Sequence, residues 1–397
     1  MPLRRIAMSH PTAHAPILLT PGPLTTRLET RQAMMQDWGS WDQPFNALTA
    51  QVCSALLSVV HGEQSHVCIP MQGSGTFAVE AALGTLIARS DKVLVPVQGA
   101  YCERIVKILT ILGKAVVRYD LQEDQPVDPE QIANLLSADQ ALTHVALVHC
   151  ETTTGLLNPL EKIAAVVERY GRQLIVDAMS TFGALPIDLR HTRAAAVISA
   201  SGKCLEGVPG MGFVIADLQV LQDSAANSHS LALDLHDQWQ YMQATKQWRY
   251  TPPTHVVAAL HAALELHAQE GGVAARAVRY QDNCSTLIAG MRQLGFVPYL
   301  READQAPIIT TFHAPQHPAY DFPSFYQLMR EKGFVLYPGK LTRAATFRIG
   351  CIGAISRQDI TRMLHAVRQT MLEMGMNEES RDAAYFPSKP HPGANPG

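Results

Sequence analysis

The chain has 397 residues, 47 % of them hydrophobic and 17 % charged, with a formal net charge of −3 at pH 7. That length supports a large core and two domains, and the near-balanced charge argues against nucleic-acid or anionic-membrane partners. No apolar run reaches the roughly 18 residues that span a bilayer.

In chain order, the opening MPLRRIAMSHPTAHAPILL has two arginines but lacks the continuous apolar stretch of a secretory signal. Residues 1–16 are read as an N-terminal extension. Strands are predicted at His66–Met71, Lys92–Val97, Ala115–Tyr119, His144–His149, Gln173–Val176, Ala195–Ser199 and Gly212–Ala216. Helical patterns at Thr76–Ala88, Tyr101–Leu112, Pro129–Leu136 and Leu160–Tyr170 separate most of them. The strands are mostly continuous apolar runs, as in a parallel sheet covered by helices on both faces. The class is therefore α/β, with a mostly parallel sheet of seven strands in the large domain. Near Pro252 the rhythm changes. A long helical region, about His255–Gln293, leads to strands near Ile308–Phe312, Phe334–Tyr337 and Thr346–Ile349 and helices at Phe322–Lys332 and Arg357–Glu373. This second set reads as a smaller α+β domain. The expected division is 17–262 for the large domain and 263–374 for the small one. The polar, Pro/Gly-rich tail 375–397 is expected to be disordered. Seven cysteines (Cys53, Cys68, Cys102, Cys150, Cys204, Cys284 and Cys351) lack CxxC spacing, which suits reduced thiols in the cytoplasm. Sixteen histidines show no metal-binding spacing.

Ligands of open parallel sheets sit at the carboxyl ends of the strands. Gly73–Thr76, Gln98–Tyr101, Cys150–Thr154, Asp177–Ser180 and Ser201–Lys203 can therefore be read together. QGSGTFAVEA (Gln72–Ala81) follows a strand and opens a helix, whose N-terminus suits a phosphate. It also admits a plain tight turn, or a dinucleotide fingerprint, although the next strand ends in Gln98-Gly99 without the acid that fingerprint needs. Asp177 either caps the following turn or keeps a ring nitrogen protonated. Lys203 is either a surface-loop lysine or a desolvated amine able to form a Schiff base. A phosphate cradle, a ring-nitrogen carboxylate and an amine on neighbouring strand ends fit pyridoxal phosphate. Arg348, between apolar neighbours in TFRIGCIG, lies on a solvated face or offers its planar fork to a carboxylate or phosphonate.

LLTPGPL (Leu18–Leu24), QGSGTFAVEA, HCETTTGLLNP (His149–Pro159), IVDAMSTFGALPID, GKCLEGVPG, WRYTPPTH (Trp248–His255), YPGK (Tyr337–Lys340) and FRIGCIG together resemble the class V aminotransferases of the fold-type I pyridoxal-phosphate superfamily. Within that class LLTPGPLTT, ETTTG, KCLEGVPG and LDLHDQW are most similar to members that take an aminophosphonate as donor and pyruvate as acceptor. An alanine– or serine–glyoxylate type is the alternative. The resemblance implies a role for each matching residue. Lys203 would carry the cofactor and move the proton, and Asp177 would bind the pyridine nitrogen. Ser74, Gly75 and Thr76 would hold the phosphate, Tyr101 would stack on the ring, and Thr152 would bond near the ring hydroxyl. Thr251 would reach the phosphate of a partner subunit's cofactor, so a homodimer is implied. Arg348 would clamp the substrate anion, with backbone near Gly22 closing the pocket. Three positions depart from the pattern: Gly202 where Asn or Gln is usual, Pro44 where an acid is expected, and His229 where an arginine is expected.

Overall fold

Continuous apolar runs dictate strands buried on both faces, and the computed structural model places all seven in one sheet. It describes residues 15–340 and 343–376. The expected extension up to residue 14 and the expected disordered tail from residue 377 lie outside the described residues. The strands are β1 (His66–Gln72), β2 (Lys92–Val97), β3 (Ala115–Asp120), β4 (Leu142–Val148), β5 (Gln173–Asp177), β6 (Ala196–Ala200) and β7 (Met211–Asp217). Their order across the sheet is β1-β7-β6-β5-β4-β2-β3. Every pairing is parallel except those of β7, which runs antiparallel to both β1 and β6.

Side chains alternate across a strand, and the two cores follow from that. Leu94, Val176 and Val197 face a core shared with helices α1 (Gln43–Val59), α4 (Pro129–Ala138), α5 (Leu160–Arg169) and α6 (Thr254–Glu270). Their neighbours Val93, Val95, Ile175 and Ile198 face the opposite core, built with α2 (Gly75–Leu86) and α3 (Ala100–Ile111). The edge strand β3 holds only exposed and half-buried residues, since it lacks a neighbour on one side.

The long helical region after Pro252 is two helices. Gly271 and Gly272 adopt φ of +111° and +68°, which only glycine takes without strain, and they end α6 and open α7 (Gly272–Gln293). A third core gathers α7, α8 (Phe322–Glu331) and α9 (Arg357–Glu373) over the antiparallel sheet of β8 (Ile309–His313), β9 (Tyr337–Pro338) and β10 (Thr346–Gly350), in the order β8-β10-β9. The predicted strand Phe334–Tyr337 is divided. Tyr337–Pro338 joins β10, whereas Phe334–Val335 pairs in parallel with Ile17–Leu18. The start of the described chain thus packs with its C-terminal part, and Leu19 O accepts from Gly350 N (2.9 Å).

Candidate active site

The loop after β1 turns directly into α2. Ser74 is the N-cap, extended and without a side-chain capping bond, so the helix presents its first amides at an open end. The neighbouring helix α3 starts on a buried carboxylate. Glu151 Oε2 accepts from the amides of Tyr101 (3.1 Å) and Cys102 (3.4 Å), and Oε1 accepts from Thr153 N (3.0 Å). A negative charge at a helix N-terminus is favourable. It fixes the first turn of α3, and Arg104 stands one turn beyond Tyr101. The Arg104 guanidinium lies 4.9 Å from the Tyr101 ring centroid and donates from Nη1 to Thr76 Oγ1 (2.9 Å). Ser74, Thr76, Tyr101, Arg104, Asp177 and Lys203 line one cavity of about 180 Å³.

Asp177 ends β5 and is buried; its Oδ1 accepts from Met179 N (2.9 Å). Burial pushes its carboxyl up to about 6, against the opposing pull of the Met179 amide, Arg104 and Lys203. Burial also lowers the Lys203 ammonium below the ordinary lysine value. Lys203 Nζ donates to Pro21 O (2.7 Å). The nearest acid in sequence, Glu206, turns away from it and accepts from Arg279 and Tyr280.

Arg348 is 1 % exposed, and among the described residues no carboxylate forms a salt bridge with it. Its Nε donates to Pro338 O (3.0 Å) and its Nη1 to Thr152 O (2.8 Å). Two main-chain carbonyls aim the fork, but neither neutralises it. A buried charge without a counter-ion is costly, so the arrangement suits an incoming anion. Gly22 (φ +123°) lies against the lysine, and a Cβ there would sit 2.5 Å from Lys203 Nζ; Gly22, Thr152 and Arg348 are not among the residues lining the cavity.

The remaining sequence candidates lie elsewhere. Thr251 is exposed, outside the cavity of its own chain, and its carbonyl accepts from Gln72 Nε2 (3.3 Å). His229 is exposed and its Nε2 accepts from Arg89 Nε (2.7 Å). Pro44 occupies the first turn of α1, where its missing N–H costs nothing. At Gly202 a Cβ would lie 3.0–3.1 Å from the Pro209 backbone, so Asn or Gln there would need that backbone to yield by a few tenths of an ångström.

The model of the family described as Aminotransferase class-V matches residues 42–340. The chain belongs to the class V aminotransferases. It is 59 % identical over 372 residues to 2-aminoethylphosphonate–pyruvate transaminase 2 of Burkholderia lata, covering 94 % of this chain and 99 % of that protein. It is 58 % identical to the 2-aminoethylphosphonate–pyruvate transaminase of Pseudomonas entomophila, over 91 % of this chain and 98 % of that one. Among solved structures, the fold is similar to pyridoxamine–pyruvate aminotransferase of Mesorhizobium loti (TM-score 0.85, 23 % identity, 94 % and 97 % of the two chains covered). It is also similar to alanine–glyoxylate aminotransferase of a Nostoc species (TM-score 0.83, 25 % identity, 91 % and 96 % covered).

A class V aminotransferase works with pyridoxal phosphate, and the residues of this one fit it. The open N-terminus of α2 and the Arg104 guanidinium suit the phosphate. The Asp177 carboxyl, raised by burial, suits a protonated ring nitrogen, whose charge would favour its ionised form. Lys203 offers an amine of lowered pKa in the same cavity. Sequence reasoning missed Arg104 and Glu151. The signal for Arg104 was its place three residues after Tyr101, one helical turn along the same face. The signal for Glu151 was weaker, because its target amides lie on α3, fifty residues earlier.

Proposed function

We propose that this aminotransferase moves the amino group of 2-aminoethylphosphonate to pyruvate, giving phosphonoacetaldehyde and alanine. The observation that carries this is the near full-length similarity, at 59 and 58 %, to proteins bearing that transaminase name. The buried Arg348, which among the described residues makes no salt bridge, supports it, since both substrates end in an anion.

When bound, pyridoxal phosphate supplies an electron-withdrawing ring that eases proton loss at the carbon bearing the amine. The backbone of Ser74, Gly75 and Thr76, with Arg104, would hold the phosphate. Tyr101 would cover the ring, and Thr152 would stand beside its hydroxyl. Asp177 would present a carboxylate to the ring nitrogen and favour its protonated form. Lys203 Nζ would attach the cofactor and, when free, would serve as the base that moves the proton; its lowered pKa keeps more of it neutral at working pH. The Pro21 carbonyl orients that amine. Arg348 binds the phosphonate in one half-reaction and the carboxylate in the other, and Gly22 leaves room beside Lys203.

Arg348→Lys keeps the charge but loses the planar fork. It is expected to weaken both half-reactions by roughly 1.5–3 kcal/mol, the worth of a charge-assisted hydrogen bond. Stopped-flow measurement of each half separately is the check. A variant slowed only with pyruvate would refute a shared anion site. The reaction itself is tested by a donor and acceptor panel: 2-aminoethylphosphonate with pyruvate is expected to turn over fastest, and faster turnover of alanine or serine with glyoxylate would overturn the reading.

We also place the working unit in the cytoplasm as a homodimer of two-domain subunits, divided at 262/263 within the unbroken helix α6. The seven cysteines are free thiols, and among the described residues no helix is long and apolar enough to cross a membrane. Thr251 lies with exposed Trp41, Tyr241 and Tyr250 in a surface hollow of about 410 Å³. A second copy covering that hollow would bury the aromatic rings and bring Thr251 to its phosphate site. Light scattering of the holoenzyme is expected to give the dimer mass; a monomer would end this part of the proposal.

A further inference from the structure

Three residues after Lys203, Glu206 is 3 % exposed and adopts φ +61°. That conformation is uncommon for a residue with a Cβ. Its partners hold it there. The Glu206 amide donates to Lys203 O (2.8 Å), closing the turn that carries the lysine. Its Oε1 accepts from Arg279 Nη2 (2.6 Å) and from the Tyr280 hydroxyl (2.7 Å), both on α7. Arg276, one turn earlier on α7, donates to Cys204 O (2.5 Å). Four bonds thus define this turn, and three of them come from the helix that packs with the small sheet.

The same groups reach in the other direction. The Tyr280 hydroxyl accepts from Gly353 N (3.1 Å). Arg279 Nη1 donates to Gly353 O (2.7 Å) and to Ile355 O (3.0 Å). Gly353 stands just beyond β10, the strand that bears Arg348. The cluster is balanced in charge, because Glu270 accepts from both Arg276 (2.8 Å) and Arg279 (2.7 Å). It lies outside the catalytic cavity, and none of its side chains lines it.

We propose that Glu206, Arg279 and Tyr280 are positioning residues that set the distance between Lys203 and Arg348. One hydrogen-bonded cluster grips the turn at the lysine and the turn behind the arginine together. Substrates whose anion and amine are a fixed length apart then meet both groups at once. The inference rests on the roles given above to Lys203 and Arg348.

A double-mutant cycle tests it. Tyr280→Phe removes one hydroxyl and no charge, so the fold and the bound cofactor are expected to remain. KM for both substrates is expected to rise about tenfold, with kcat little changed, as for a small misplacement of a binding group. Combined with Arg348→Lys, it should add almost nothing, because Tyr280 acts through the arginine's position. Multiplying effects in the double variant, or an unchanged KM in Tyr280→Phe, would overturn the proposal. Glu206→Gly is the second probe: glycine suits the positive φ, so the turn survives while the latch is lost. It should reproduce the rise in KM, and normal KM values would show the latch to be dispensable. Reductive labelling of the wild-type holoenzyme separates the two levels. A label on Lys203 with multiplying effects refutes only the cluster, whereas a label on another lysine refutes the assignment beneath it.

Discussion

Lys203→Ala is expected to retain cofactor by non-covalent contacts yet lose turnover by a factor on the order of 10³ or more, since the variant lacks both the attaching amine and the proton carrier. Visible absorbance and steady-state rates measure the two effects. In the wild type, borohydride reduction and peptide mapping should leave the label on Lys203. The structure names the competitors. Lys340 Nζ lies 5.7 Å from the Tyr101 ring centroid, close enough to the cavity to matter. Lys114 has its ammonium lowered to about 8 by burial, but it donates to the carbonyls of Gly84 and Ile87 at the far end of α2. A label on Lys340 would reassign the site.

Asp177→Asn is expected to cut turnover roughly a hundredfold, equivalent to about 2.7 kcal/mol at the transition state, with a much smaller loss of cofactor. Asparagine cannot hold the ring nitrogen in its protonated form by charge. The apoenzyme gives an independent check. In the folded chain the Asp177 carboxyl titrates at about 6, above its ordinary value, because burial opposes ionisation. A raised carboxyl pKa stabilises the fold at low pH, and that stability is lost as pH rises through the folded value. The wild-type apoenzyme should therefore lose on the order of 3 kcal/mol between about pH 4 and pH 7 through this group. Asp177→Asn escapes that loss. Its thermal midpoint should gain on the wild type across this range and then run parallel. A gap independent of pH would show that the carboxylate is not under strain from burial.

The strands of the large sheet were legible because burial on both faces leaves continuous apolar runs such as KVLVPV. The strand-end logic then brought Thr76, Tyr101, Asp177 and Lys203 to one cavity, although they lie far apart in the chain. What escaped notice depends on partners that local pattern cannot reveal. Phe334–Tyr337 reads as one strand, yet its first half pairs with Ile17–Leu18 from the opposite end of the described chain. Glu206 is the nearest acid to Lys203 in the sequence, yet two arginines and a tyrosine on α7 bind it instead. Arg348 reads as a strand residue of either face; only the packed structure shows it buried and held by carbonyls.

The pairing of Ile17–Leu18 with Phe334–Val335 also bears on how the molecule is made. The groups proposed to hold the cofactor within one chain, from Ser74 to Lys203, all emerge from the ribosome before Phe334 and Val335 do. Until Phe334 and Val335 follow, Ile17–Leu18 has no strand to pair with, and the segment that sets the Pro21 carbonyl beside Lys203 lacks that tether. Arg348 arrives later still. Translation therefore supplies the side chains that line the cofactor cavity before it supplies the arginine of the substrate clamp.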